Sequence, residues 1–144
     1  MTRSGAITAI DTRLSTISDP AFVAVYRGEM LAVSGTPVLA FWIEGRRSTA
    51  LTLSNAGSTT SFTIRSYFRL QSSADVREEV EEDLWDAMYA VDNALRADSN
   101  LNDNASDIRI GSATAGYATV GGVTFRTAST PLEVDILDDV TITP

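Results

Sequence analysis

Five carboxylates crowd one short stretch of this chain: Glu78, Glu79, Glu81, Glu82 and Asp83. Two carboxylates held in one cleft can divide acid and base roles between them. On a helix these five scatter around the outer side and read as solvated. Asp98, Asn100 and Asn102 reproduce the first three ligand positions of a calcium loop. The position of the sharp-turn glycine holds Asp103, and the bidentate glutamate is replaced by Arg109. The stretch therefore reads as an Asx-rich helix exit. Gly111 and Gly116 stand at phosphate-loop separation, but Tyr117-Ala118 replaces the lysine and hydroxyl residue that grip phosphate. A glycine-broken strand or bulge is the reading there.

The residue inventory excludes much more. There is no histidine, the usual general base near neutral pH, and no cysteine for disulfides or thiolate metal sites. All 11 basic residues are arginine, which removes Schiff-base chemistry and a phosphate-loop lysine. A net charge of -8 argues against gripping nucleic acid, which needs a basic face. At 144 residues and 44% apolar content, the chain is one domain with length for a real core. No apolar run approaches the roughly 20 residues that cross a bilayer. Asp11 and Arg13 interrupt any signal core, so synthesis and retention in the cytosol are expected.

The elements are organised around Ser73 to Asp98, which reads as one amphipathic helix of roughly 37 Å. Val76, Val80, Leu84, Ala87, Met88, Val91 and Leu95 fill an apolar arc of roughly 120°. Ser73 is the expected N-cap. Asp75, Glu78 and Glu79 suit the positive end of the helix dipole, and Arg96 the negative end. Trp85 and Tyr89 lie four apart on the side away from that arc, with Arg96. Such large aromatics require a second contact surface. Either they pack beneath a first helix, against Ile10 or Leu14, or they anchor a subunit interface.

That first helix is expected from about Ser4 to Thr16, on the spacing of Ile7, Ile10, Leu14 and Ile17. Strands follow within residues 21–71: Ala21–Tyr26, Val38–Ile43, Ala50–Ser54 and Thr60–Gln71. Arg27–Pro37 is a loop, Gly45–Arg47 a turn and Asn55–Ser58 a hairpin loop. In the last of these strands Phe62, Ile64, Phe68 and Leu70 share a core face. Thr63, Arg65, Tyr67, Arg69 and Gln71 share a polar one. Arg65 and Arg69 could pair with acids of a neighbouring strand or of another copy. Strands within residues 108–142 follow the helix, broken by Gly111 and Gly116. They include Val123–Ser129 and Leu132–Ile136, with a two-residue turn at Gly121-Gly122 and a last strand that frays after Asp138-Asp139. The fold class is α+β: an antiparallel sheet of about four to six strands with both helices on one face.

The order of these features resembles the tail terminator proteins of long-tailed, non-contractile bacteriophages, also called tail-completion or tail-to-head joining proteins. The resemblance runs over nearly the whole chain, from a short N-terminal helix through Val25–Glu29, Pro37–Gly45 and Ile64–Phe68. It continues with the long helix ending Ala94–Ser99, then Gly121–Arg126 and Pro131–Ile136. The chain departs from it after Leu101, where Asn102-Asp103 stand in place of a glycine pair.

The resemblance implies a structural protein with no active site and no cofactor. A hexameric ring would cap the finished tail tube, stop its polymerisation and face a head-closure or connector protein. DNA would pass through the hole without sequence-specific binding. The protein would be made in the host cytoplasm and end at the head–tail neck of the virion, with no membrane partner. Interface candidates are Trp85, Tyr89, Arg96, Arg65 and Arg69. Arg27, Glu29, Met30, Leu31, Arg46 and Arg47 are candidates for touching the tube or the connector, from the exposure expected of their loop and turn. Two other readings compete. One is another neck component, such as a head-closure protein. The other is a small cytosolic ligand-binding or carboxylate-dependent enzyme domain, which would require a deep apolar pocket holding a carboxylate of raised pKa.

Overall fold

A computed structural model describes residues 3–50, 55–70 and 74–139. The first helix, α1, spans Arg3–Ser15, and the strands β1 (Ala24–Arg27), β2 (Val38–Ala50) and β3 (Asn55–Arg69) follow. The long helix α2 spans Ala74–Arg96, and β4 (Asp107–Ile110), β5 (Thr114–Val120) and β6 (Val123–Asp139) complete the chain. The expected cap Ser73, the rest of the 50–54 strand and the tail beyond Asp139 lie outside the described residues.

The fold is α+β, with the strand order β1-β2-β3-β6-β4 and β5 also paired to β6. The sheet is mixed, not wholly antiparallel, because β1 joins β2 in parallel. β6 is its hub. It pairs with β3 from Arg69↔Phe125 to Asn55↔Asp139, and its other flank pairs first with β5 and then with β4.

Both helices lie on one face. Leu39 and Phe41 of β2, Phe62 and Ile64 of β3, and Leu132, Val134 and Ile136 of β6 meet Ile10 and Leu14 of α1 and Val91 and Leu95 of α2. A neighbouring cluster joins Leu84 and Ala87 to Phe68 and Ala128. The apolar arc of α2 is therefore its buried side from Leu84 to Leu95; the side chain of Val76 lies outside the description. Arg13 Nε of α1 donates to the carbonyl of Ala94 in the last turn of α2 at 3.0 Å, satisfying an acceptor that the helix end leaves open.

Four expectations are corrected. Gly45–Arg47 is no turn: β2 runs through it, with a bulge between Ile43 and Gly45. Asn55–Ser58 is the start of β3, because this hairpin reaches further than its glycine suggested. Val123–Ser129 and Leu132–Ile136 are one strand, which tolerates Pro131. The polar face of β3 is also not open throughout. Tyr67 is 1% exposed, packed edge-to-face on Phe125 beneath Met30, Val33, Ala118 and Val120. The Arg27–Pro37 loop thus folds back over the sheet, and its Met30 is half-buried.

Three backbone details follow from local chemistry. Gly121 and Gly122 both take positive φ in the β5–β6 turn, as a two-residue hairpin requires. Leu101, Asn102 and Asp103 take φ of 48°, 55° and 63°. Asn and Asp tolerate that region better than other side chains, and Asp98 accepts the Asn102 N–H at 3.0 Å. The third detail concerns Pro131. Its carbonyl accepts from Gly111 N at 2.8 Å. In an antiparallel ladder a residue's N–H and C=O point to the same flank, so the donor that proline lacks would also face Gly111. The edge strand breaks there, between β4 and β5, and the register slips by one residue from Ile110↔Leu132 to Thr114↔Ser129.

A Cβ at Gly111 would stand 2.5 Å from Pro131 Cγ. Gly111→Ala is therefore expected to lower unfolding free energy by about 1–3 kcal/mol, with part of the loss recovered when Pro131→Ala is added. Denaturant titration of the two single variants and the double variant measures that coupling, and additive effects would refute the contact.

Candidate functional site

An exposed aromatic pair marks the outer side of α2. Trp85 and Tyr89 are 65% and 60% exposed, with ring centroids 6.3 Å apart and planes 18° from parallel. Four residues of helix bring them one above the other. Neither is sheltered beneath α1, whose Ile10 and Leu14 are spent on the sheet. Of the two arrangements open from sequence, burial within one chain is thus ruled out.

The pair forms a ridge between two hollows. On one side is a groove of about 380 Å³ between α2 and the break that follows β4. Met88, Asp92 and Thr130 line it with the two aromatics, and Gly111 and Ala113 form the far wall. The glycine forced by Pro131 thus shapes this wall. On the other side a shallower hollow is lined by Asp19, Asp86 and Asn93.

Charge around the ridge is mostly negative. Arg96 is exposed and donates to Asp92 at 2.8 Å, an i,i+4 pair that raises the guanidinium pKa. Asp83 nearby has its carboxyl pushed up by desolvation, and further by Asp86, Asp19 and Glu79. Asp83 does not line the groove, so the apolar hollow and the carboxylate of raised pKa that an enzyme reading requires fall in different places.

The other candidates are dispersed. Arg65 stands on the opposite face of the sheet, 5.1 Å from the ring of Trp42, and donates to Ser129 Oγ at 2.8 Å. It touches an aromatic ring and a hydroxyl, and its charge also acts on Glu44 of the neighbouring strand, an acid of the kind it could pair with. Beside it Glu44 accepts from Trp42 Nε1 at 2.7 Å and Thr63 Oγ1 at 2.8 Å, and these bonds hold its carboxyl below the usual range. Arg69 is exposed at the end of β3. Arg27 pairs with Asp11 at 2.7 Å, tying β1 to α1. Glu29 is exposed and Leu31 is 89% exposed at the crest of its loop. Arg46 donates to Ser48 at 2.8 Å, and Arg47 lies 3.7 Å from Glu133.

One cluster was missed from sequence. Arg109 of β4 reaches Glu133 at 2.8 Å and also Asp135 of β6. Asp135 accepts in addition from Thr59 at 2.6 Å. The alternation of Glu133 and Asp135 was visible, but the register that sets Arg109 opposite Glu133 was not. Arg109 is held strongly charged by Asp135 and Glu133, and Asp135 is pulled below the usual carboxylate range chiefly by Arg109. Arg126 makes a similar tie on the helix face, 2.7 Å from Glu81 and 4.7 Å from the ring of Tyr117.

No family model matches the chain, and no curated protein matches it.

Two outcomes follow from this geometry. Trp85→Ala with Tyr89→Ala should leave the melting temperature of the isolated chain close to the parent's, since neither ring contributes to its core; a large loss would show hidden packing. The second concerns acid. A carboxylate whose folded pKa is depressed contributes stability that is complete above its unfolded value, about 4. That contribution is lost as pH falls through the folded value. Arg109→Gln is therefore expected to melt lower at pH 7, with the gap to the parent closing as pH drops below the range of Asp135. Melting curves taken from pH 7 downward measure this, and a gap independent of pH would refute it.

Proposed function

We propose that this chain is a structural subunit of a phage head–tail neck. It would cap the finished tail tube as a ring, end tube growth and present a joining surface to the head side. The observation that carries the reading is the exposed Trp85–Tyr89 ridge above its groove, apolar surface of a kind that calls for a protein partner. The order of elements that underlies the resemblance supports it. So does the inventory, because a chain without histidine, cysteine or lysine is poorly equipped for catalysis. An acidic, lysine-free subunit also suits a channel through which DNA slides without being held.

The test is direct. Purified chain mixed with isolated phage tail tubes should bind at one tube end, visible as a terminal ring by negative-stain microscopy, and should halt further tube growth. Binding along the tube wall, or none, would count against the reading. Leu31 offers a second test, as the most exposed apolar side chain on a loop whose Met30 and Val33 pack on the sheet. Leu31→Asp should keep the parent's melting temperature and reduce tube binding or head joining several-fold. Shortening the loop would instead uncover the sheet, since Met30 and Val33 cover Tyr67 and Phe125.

A further inference from the structure

Two surfaces of this chain are unequal and complementary. Beyond Phe41, where pairing with β1 ends, β2 has no strand on its outer side among the described residues. Such an edge offers unpaired backbone groups to another chain. Ile43 and Arg46 stand on one face of it, opposite Phe62 and Thr60 of β3. Ile43 is 56% exposed, and Arg46 donates to the hydroxyl of Ser48 and has no ion-pair partner among the described residues. This edge thus presents an apolar side chain beside an uncompensated cation.

The outer side of α2 presents the converse. The groove beneath Trp85 and Tyr89 is apolar, and Asp19 and Asp86 beyond the ridge have no ion-pair partner among the described residues. Three strand spacings, about 14 Å, separate β2 from β4. The two surfaces of one chain therefore cannot satisfy each other.

We propose that the outer edge of β2 in one copy, led by Ile43 and Arg46, seats against the Trp85–Tyr89 ridge and groove of the next copy, head to tail. The contact rests on the reading of this chain as a ring subunit, and it names the two surfaces that close such a ring. Ile43 enters the groove, and Arg46 meets the carboxylates beside the ridge. Different patches meet, so the contact is heterologous and propagates until rotation closes it.

A mixing experiment tests this. Ile43→Asp removes one patch and Trp85→Ala the other. Both positions are exposed, and circular dichroism and melting check that each variant folds. The parent should self-associate with rising concentration in light scattering. Each variant alone should associate about tenfold more weakly or worse, as expected when a central anchor is lost. Mixed together they retain one intact pair of patches, so the mixture should form heterodimers and nothing larger. A charge exchange is the second measurement: Arg46→Asp should weaken association, and adding Asp86→Arg should restore it. The proposal is overturned if the parent stays monomeric, if Ile43→Asp assembles like the parent, or if the mixture stays monomeric. Loss of assembly by Trp85→Ala alone would instead indicate a symmetric contact of ridge on ridge, and would also overturn it. Tube capping by rings that survive Ile43→Asp would sink this contact and leave the proposed function standing. Assembly that obeys the mixing rule without tube binding would do the reverse.

Discussion

A missing N–H in the busiest strand shapes one whole side of this protein. β6 is paired on both flanks, and such a strand ordinarily excludes proline. Pro131 is accommodated because its absent donor faces the outer flank, where the neighbouring strand can be interrupted. The interruption splits the edge into β4 and β5, demands a glycine opposite the ring and leaves a gap beside α2. Thr130, next to the proline, is the floor of that gap. A purely local feature of the ladder thus becomes a surface groove.

α2 then has two duties on opposite sides. Its inner stripe closes the larger core against β3 and β6, and its outer side carries the ridge. Arginines hold it in place from two directions: Arg13 from α1 at its C-terminal end, and Arg126 from β6 through Glu81. The first is a hydrogen bond to a backbone carbonyl, and the second is an ion pair with an exposed carboxylate, which contributes little stability, about 0–1 kcal/mol. Their use here is positional, since each joins elements far apart in sequence.

Much of this architecture could be read from the chain. The helix of Leu84, Val91 and Leu95 has a period that admits no other structure, and the alternation of Phe62 and Ile64 marks a half-buried strand. Gly121-Gly122 fixed its turn by backbone freedom alone. Other features were illegible for a common reason, namely that they depend on register. Gly45 looked like a turn because nothing local reveals that β2 continues as a bulged strand. Tyr67 looked wet because its cover comes from a loop more than thirty residues away in sequence. Trp85 and Tyr89 could be found, since periodicity places them opposite the core. Their groove could not, because its far wall arises from a proline one strand away. The charged cluster of Arg109, Glu133 and Asp135 was hidden in the same manner.

The guanidinium ties have one more consequence. Every cation in them is an arginine, and the chain has no histidine or lysine. Their carboxylate partners Glu81 and Asp135 are held below the usual range. Apart from Asp83, whose carboxyl is pushed upward, no residue type in this chain has an ordinary side-chain value between about pH 6 and pH 9, where a terminal amine is the group that ordinarily changes charge. The chain therefore lacks the usual side-chain switch of that interval. Its electrostatic surface answers chiefly to dissolved ions and to other charged molecules.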